Sequence, residues 1–76
     1  MEQSGGEEWV REFAALAGGT APTEEEIGKL LKLAADAAHS SERIAAPLAC
    51  WVAGRLGLDL DEAIALAARV GSGADG

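Results

Sequence analysis

A nearly uncharged segment, Ile44–Gly54, most constrains how this chain can fold. Its length is about half of the roughly 20 apolar residues that a membrane-spanning helix needs, so no membrane association is expected. From Leu48 to Leu56 the apolar residues surround the helix axis, which is typical of a helix covered by protein on most sides. We therefore expect a buried helix in the middle of a soluble domain.

The start of this central helix is limited by Pro47, which lacks an amide hydrogen and belongs in a first helical turn. That position predicts a start near Arg43 or Ile44. A start at Ser41 is the alternative, and it would place a kink at the proline. Gly57 is expected to end the helix, because glycine readily adopts the left-handed conformation of a C-terminal turn.

Three further segments carry apolar residues at helical spacing, with signals for where each helix begins or ends. The first predicted helix follows Glu7 and ends at glycines 18 and 19. The second runs from about 24 to 39, behind a T-x-x-E capping box at 23–26, and the fourth follows a D-x-x-E box at 59–62. The expected inward-facing residues are Trp9, Val10, Phe13, Leu16 and Ala17 in the first helix, Ile27, Leu30, Leu31, Ala34 and Ala38 in the second, with Leu33 and Ala37 widening that face, and Leu60, Ala63, Ile64, Ala67 and Val70 in the fourth, with Leu66 at its side.

Four helices of roughly 10–16 residues with short connections predict an all-α fold, a compact antiparallel four-helix bundle. Residues 7–70 form the predicted helical domain. The chain has only three aromatic residues, so Trp9 and Phe13 are expected to anchor the core. Residues 1–6 and 71–76 lack an apolar pattern and are expected to be disordered termini.

Charge and cysteine content exclude several classes of function. The net charge of −7 leaves no basic footprint for nucleic acid or for an anionic membrane surface. One cysteine and one histidine cannot form a closed zinc site, so no metal or cofactor is expected. Cys50 is interpreted as a small buried hydrophobe. The lack of a cysteine framework and of a visible signal peptide indicates the cytoplasm.

The ionisable and hydroxyl side chains cluster where the second predicted helix gives way to the third. No phosphate-binding loop, zinc-protease motif or nucleophile elbow is present in the sequence. What remains is a candidate binding site at this junction. It consists of Asp36, His39, Ser40, Ser41, Glu42 and Arg43.

The junction admits a structural role and a binding role. In the structural role, Ser40 or Ser41 caps the third helix, Arg43 pairs with an acidic neighbour, and His39 hydrogen-bonds a terminal carbonyl. In the binding role, the same imidazole, guanidinium and hydroxyls hold a phosphate or carboxylate beside a helix N-terminus. Catalysis is not expected, because Asp36, His39 and a serine on one helix point outward side by side, whereas a triad must converge.

The segment D-A-A-H-S-S-E-R-I-A-A-P-L-A-C-W-V-A-G, residues 36–54, resembles a small helical family of unknown function from actinobacteria. Its specific part is A-H-x-x-E-R followed by A-A-P-L, at residues 38–48. Members of that family look like short stand-alone proteins or a C-terminal extension fused to the enzyme that attaches a guanylate to molybdopterin. The resemblance implies an accessory role near molybdenum-cofactor maturation and no catalytic residues.

With this resemblance, the binding role gains weight. We expect a non-enzymatic accessory or interaction module whose junction contacts a protein partner, such as the guanylyltransferase or a molybdoenzyme, or a small anionic ligand such as the phosphorylated cofactor. The alternative is a purely structural or self-associating bundle whose junction residues only cap helices.

Overall fold

The computed structural model describes residues 5–73, and these form four helices. The helices are α1 (Gly5–Ala17), α2 (Glu24–Ser40), α3 (Ala45–Leu56) and α4 (Leu60–Gly73). The predicted all-α, four-helix fold class is confirmed. Helix α1 begins within the predicted disordered terminus 1–6, and α4 extends past residue 70. The remainder of those two predicted termini, 1–4 and 74–76, lies outside the described residues.

No helix in the part of the chain that the structure describes is both long enough and apolar enough to cross a membrane.

The predicted capping box at the start of α2 is confirmed. The backbone amide of Thr23 donates to Oε1 of Glu26 at 2.8 Å, and the amide of Glu26 donates to Oγ1 of Thr23 at 3.1 Å. At the start of α4, the amide of Glu62 donates to Oδ2 of Asp59 at 3.2 Å. These local bonds satisfy amides that have no partner within their own helix, so both helix starts are encoded by a few neighbouring residues.

Helix α3 begins at Ala45, with Ile44 in the N-cap position and Pro47 in the first turn. The start near Ile44 is therefore confirmed over the alternative of a kink. The missing amide hydrogen of Pro47 falls where no intrahelical bond would form. Gly57 ends the helix in the left-handed conformation, at φ +66°, as predicted.

Helix α2 lies at the centre of the fold and packs against both α3 and α4, whereas α1 packs only loosely. A groove of about 430 Å³ separates α1 from α2, with Val10, Ile27 and Leu31 among its lining residues. The core is thin. Its buried residues are Leu33, Ala53 and Ala63, and the half-buried residues packed against them are Cys50, Leu58, Ile64 and Ala67.

The prediction that α3 is covered on most sides is wrong. Helix α3 turns its small side chains towards the rest of the protein, and its large ones face solvent. The side chains on the inner side are Ala45, Ala46, Ala49, Cys50 and Ala53, and those on the outer side are Ile44, Leu48, Trp51, Val52 and Leu56. When apolar residues surround the helix axis, the sequence does not show which side packs against the protein. The small residues face α2 because they allow the two helices to approach closely. Gly54 takes no part in that approach, because a Cβ there would meet nothing within 4 Å.

The prediction that Trp9 and Phe13 anchor the core is also wrong. Their exposed fractions are 62% and 58%, and the two rings stack on each other with centroids 5.3 Å apart. Leu16, one turn further along, is exposed as well. Helix α1 therefore has the apolar stripe that its sequence predicts, but the described chain provides no surface that covers it.

Candidate functional site

The predicted junction site occupies the last turns of α2 and the connection to α3. His39 and Ser40 end α2, and Ser41 to Arg43 form the connection. Asp36 is half-buried, and the other five residues are exposed. This arrangement makes the junction accessible to a partner without forming an enclosed pocket.

The structure brings Asp36, His39 and Ser40 together in one shallow depression. They line it with Lys32 of α2 and with α4 residues at 67 and 68, around a volume of about 410 Å³. Ser41, Glu42 and Arg43 lie outside the lining. The six residues thus divide into a depression beside α4 and a separate polar entry to α3.

Within the depression, charge is already paired. Nζ of Lys32 donates to the two carboxylate oxygens of Asp36 at 3.2 and 3.1 Å, the i,i+4 pair that helical spacing favours. The carboxylate is therefore oriented by the lysine and not by His39. This pairing also leaves the depression without the excess positive charge that a phosphate would select.

The contacts that a structural role requires are not formed between residues 5 and 73. The N-cap residue Ile44 makes no side-chain bond, so neither serine caps α3. Across the same residues, the side chains of His39 and Arg43 make no hydrogen bond or ion pair. The entry to α3 is held instead by backbone bonds, from the amide of Ala45 to the carbonyl of Glu42 at 2.8 Å and from Ala46 to Arg43 at 3.1 Å. The junction side chains remain available, and their binding role stays a prediction.

No group of three histidine, cysteine, aspartate or glutamate side chains in the described part of the chain is placed to hold a metal ion.

A second candidate surface, which the sequence interpretation missed, is the α3 outer face. We define it as the five exposed apolar side chains of this helix: Ile44, Leu48, Trp51, Val52 and Leu56. Together they expose on the order of 600 Å² of apolar area, comparable to the largest patch on a typical monomeric protein. The segregation of small residues to one side of the helix and large residues to the other was the available sequence signal.

The spacing of the α3 outer face suits helix packing. Ile44, Leu48, Trp51 and Arg55 follow one another by four, three and four residues, the spacing of a seam between two helices. Arg55 is the one charged residue of α3, and no acidic residue occurs between Ala45 and Leu56. The face is therefore apolar along its length and basic at its C-terminal end.

Two titratable groups outside the junction have shifted pKa values. Nζ of Lys29 lies 3.0 Å from Oδ2 of Asp61 on α4 and 3.5 Å from Oε2 of Glu25, and the hydrogen bond to Asp61 is the main reason that the pKa of Lys29 is raised. Burial raises the pKa of the Cys50 thiol. The Glu25 pair is predicted by i,i+4 spacing, but the Asp61 pair joins helices distant in sequence and has no local signal.

The fold and its surfaces define a small all-α domain with a thin core and an uncovered apolar helix face. The chain belongs to the family described as a domain of unknown function, DUF6457, whose family model matches residues 1–75. This match confirms the resemblance to a small family of unknown function. Comparisons with curated proteins and with solved structures gave no match.

Proposed function

We propose that this protein is a non-enzymatic interaction module that docks a helix of a protein partner on the α3 outer face. The observation that carries the proposal is Trp51, which stands at the middle of the seam with 64% of its surface exposed. A large aromatic side chain at the centre of an apolar patch is typical of a binding hot spot. Docking a helix there would remove this apolar surface from water. Such burial contributes roughly 25 cal/mol of favourable free energy per Å².

The polar junction supports the same function from the N-terminal end of the face. Arg43 directly precedes Ile44, the first residue of the seam, and its guanidinium makes no ion pair within residues 5–73. It is therefore placed to hold a carboxylate at the rim of a docked partner. His39, Ser40 and Ser41 would add adaptable hydrogen bonds beside it.

The partner that we propose is a protein of molybdenum-cofactor maturation, in the cytoplasm. The support is the sequence resemblance at residues 36–54, which covers both the junction and most of the α3 outer face. The guanylyltransferase is the first partner to test, because the resemblance implies that some members are fused to it and others stand alone. In a fused member the two domains would meet at high effective concentration, so a modest intrinsic affinity would suffice.

The test is a binding titration of the purified domain against the purified guanylyltransferase. We expect Leu48→Ala and Trp51→Ala each to weaken binding at least tenfold, because each removes a central apolar contact. Val70→Ala is the control, because Val70 is an exposed apolar residue (73%) on another helix. Equal affinity for all four proteins, or no binding by the wild type, would rule out this partner at this face.

The small-anion version of the junction site is tested separately by titrating inorganic phosphate while recording amide chemical shifts. Binding at the junction would move the amides of residues 39–44, and Arg43→Ala would abolish the shifts. Unmoved amides would remove anion binding and leave the protein-docking function as proposed.

A further inference from the structure

The chain exposes two apolar seams of the same spacing on different helices. On α1, Trp9, Phe13 and Leu16 follow one another by four and three residues, as Ile44, Leu48 and Trp51 do on α3. Helix α3 packs on α2, whereas α1 packs on neither α2 nor α3 to a comparable extent. Neither seam is therefore covered by the other within one chain.

The charges beside the two seams are complementary. Helix α1 carries Glu7, Glu8 and Glu12 against the single base Arg11, whereas α3 carries Arg55 and no acid. Pairing α1 with α1 from a second copy would bring like charges together. Antiparallel pairing of α1 with α3 places the carboxylates beside the guanidinium of Arg55, which favours this combination over the self-pairing of α1.

The available area also suits two copies. The exposed apolar side chains of α1 (Trp9, Val10, Phe13 and Leu16) and the α3 outer face together expose about 1,000 Å² per chain. A standard interface buries about 800 Å² on each partner. In a two-fold symmetric dimer, α1 of each copy contacts α3 of the other copy, so each seam is used once per chain.

We propose that the helix that docks on the α3 outer face is α1 of a second copy, which makes the protein a reciprocal homodimer. This inference rests on the proposed docking function of α3 and names the chain itself as an occupant. A helix from another protein would then compete with α1 for the same face.

The test is a charge exchange followed by light scattering of the full chain from nanomolar to high micromolar concentrations. We expect the wild type to reach twice the mass of one chain. The variant with Glu8→Lys and Glu12→Lys, and the variant Arg55→Glu, should each dimerise at least tenfold more weakly, because each places like charges across the interface. Circular dichroism checks that both variants remain helical.

Mixing the two variants in equal amounts provides the decisive result. In the mixed dimer both contacts again join opposite charges, so its dissociation constant should return to within about threefold of the wild type. A contact within one chain cannot be rescued by mixing. A wild type that stays at the mass of one chain, or a mixture without rescue, would overturn the dimer.

The failure of the dimer and the failure of the docking function are distinguishable. If the wild type has the mass of one chain while Trp51→Ala still weakens binding to the guanylyltransferase, only the choice of α1 as occupant is wrong. If neither light scattering nor the partner titration responds to Trp51→Ala, the α3 outer face itself is not a docking surface.

Discussion

Trp51 and Ala53 lie two residues apart on α3 and face opposite sides of it, with exposed fractions of 64% and 4%. Two residues along an α-helix span about 200°, so one position must face away when the other packs inward. Burial of the alanine allows α3 to approach α2 closely, and the tryptophan is consequently left in solvent. This choice determines both the thinness of the core and the apolar character of the surface.

The thin core makes stability depend strongly on Leu33, the large residue among the three that are buried in the described part of the chain. We expect Leu33→Ala to lower the free energy of unfolding by about 2–5 kcal/mol, which approaches the total stability of so small a domain. Leu31→Ala is the matched control, because Leu31 is 65% exposed. Urea unfolding followed by circular dichroism measures both. Similar losses for the two variants would show that Leu33 is not the centre of the core.

Two glycines, Gly54 within α3 and Gly57 at its C-cap, are expected to change stability in opposite directions when replaced by alanine. A Cβ at Gly54 meets nothing within 4 Å, so Gly54→Ala should stabilise the protein by about 0.5–1 kcal/mol through improved helix propensity. Gly57 has φ +66°, and Gly57→Ala should destabilise it by about 1–2 kcal/mol. Thermal unfolding of both variants provides the comparison, and a destabilising Gly54→Ala would indicate that a neighbour packs there.

The ion pair between Lys29 and Asp61 gives a pH dependence of defined sign. Because the pKa of Lys29 is raised in the folded protein, mainly by its hydrogen bond to Asp61, the protonated lysine stabilises the fold fully below its unfolded-state pKa of about 10.4. That contribution is lost as pH rises through the folded-state pKa. NMR titration of the Lys29 side chain should give a raised pKa in the folded protein, and Asp61→Asn should lower it. An unchanged value in Asp61→Asn would mean that this pair is not formed in solution.

Burial should make the Cys50 thiol a poor nucleophile in the folded protein. Its pKa is raised by burial, so less thiolate is present at a given pH, and the thiol is half-covered by the core. We expect alkylation by iodoacetamide to be several-fold slower in buffer than in denaturing urea. Rates that are equal after correction for urea would place Cys50 at the surface.

Local signals predicted most of the secondary structure, and long-range packing accounts for what they missed. The capping residues Thr23 and Glu26 and the terminating Gly57 act on their own neighbours, so the sequence displays them directly. The orientation of α3 depends on which side approaches α2, and an all-apolar circumference carries no period that decides it. Helix α1 has a clear stripe, but amphipathicity shows only that a surface needs covering and not where the cover comes from.

The sequence located the polar junction of the candidate site but not the α3 outer face. The position of Arg43 beside the entry to α3 follows from the helix boundaries. Among the described residues, its guanidinium forms no ion pair. The serine cap of the structural alternative is not formed, and backbone bonds hold the entry to α3. The α3 outer face was hidden by the assumption that apolar residues in a small domain are buried.

Fluorescence quenching of Trp51 tests the orientation of α3 most directly. In the variant Trp9→Phe, Trp51 is the sole tryptophan. The measurement is made at nanomolar concentration, because dilution favours the separate chains by mass action. We expect acrylamide to quench Trp51 in the folded, dilute protein nearly as efficiently as in urea, with emission at the wavelength of a solvated indole. Weak quenching and blue-shifted emission in the dilute folded chain would show that α3 buries Trp51, and the outer face would then not exist.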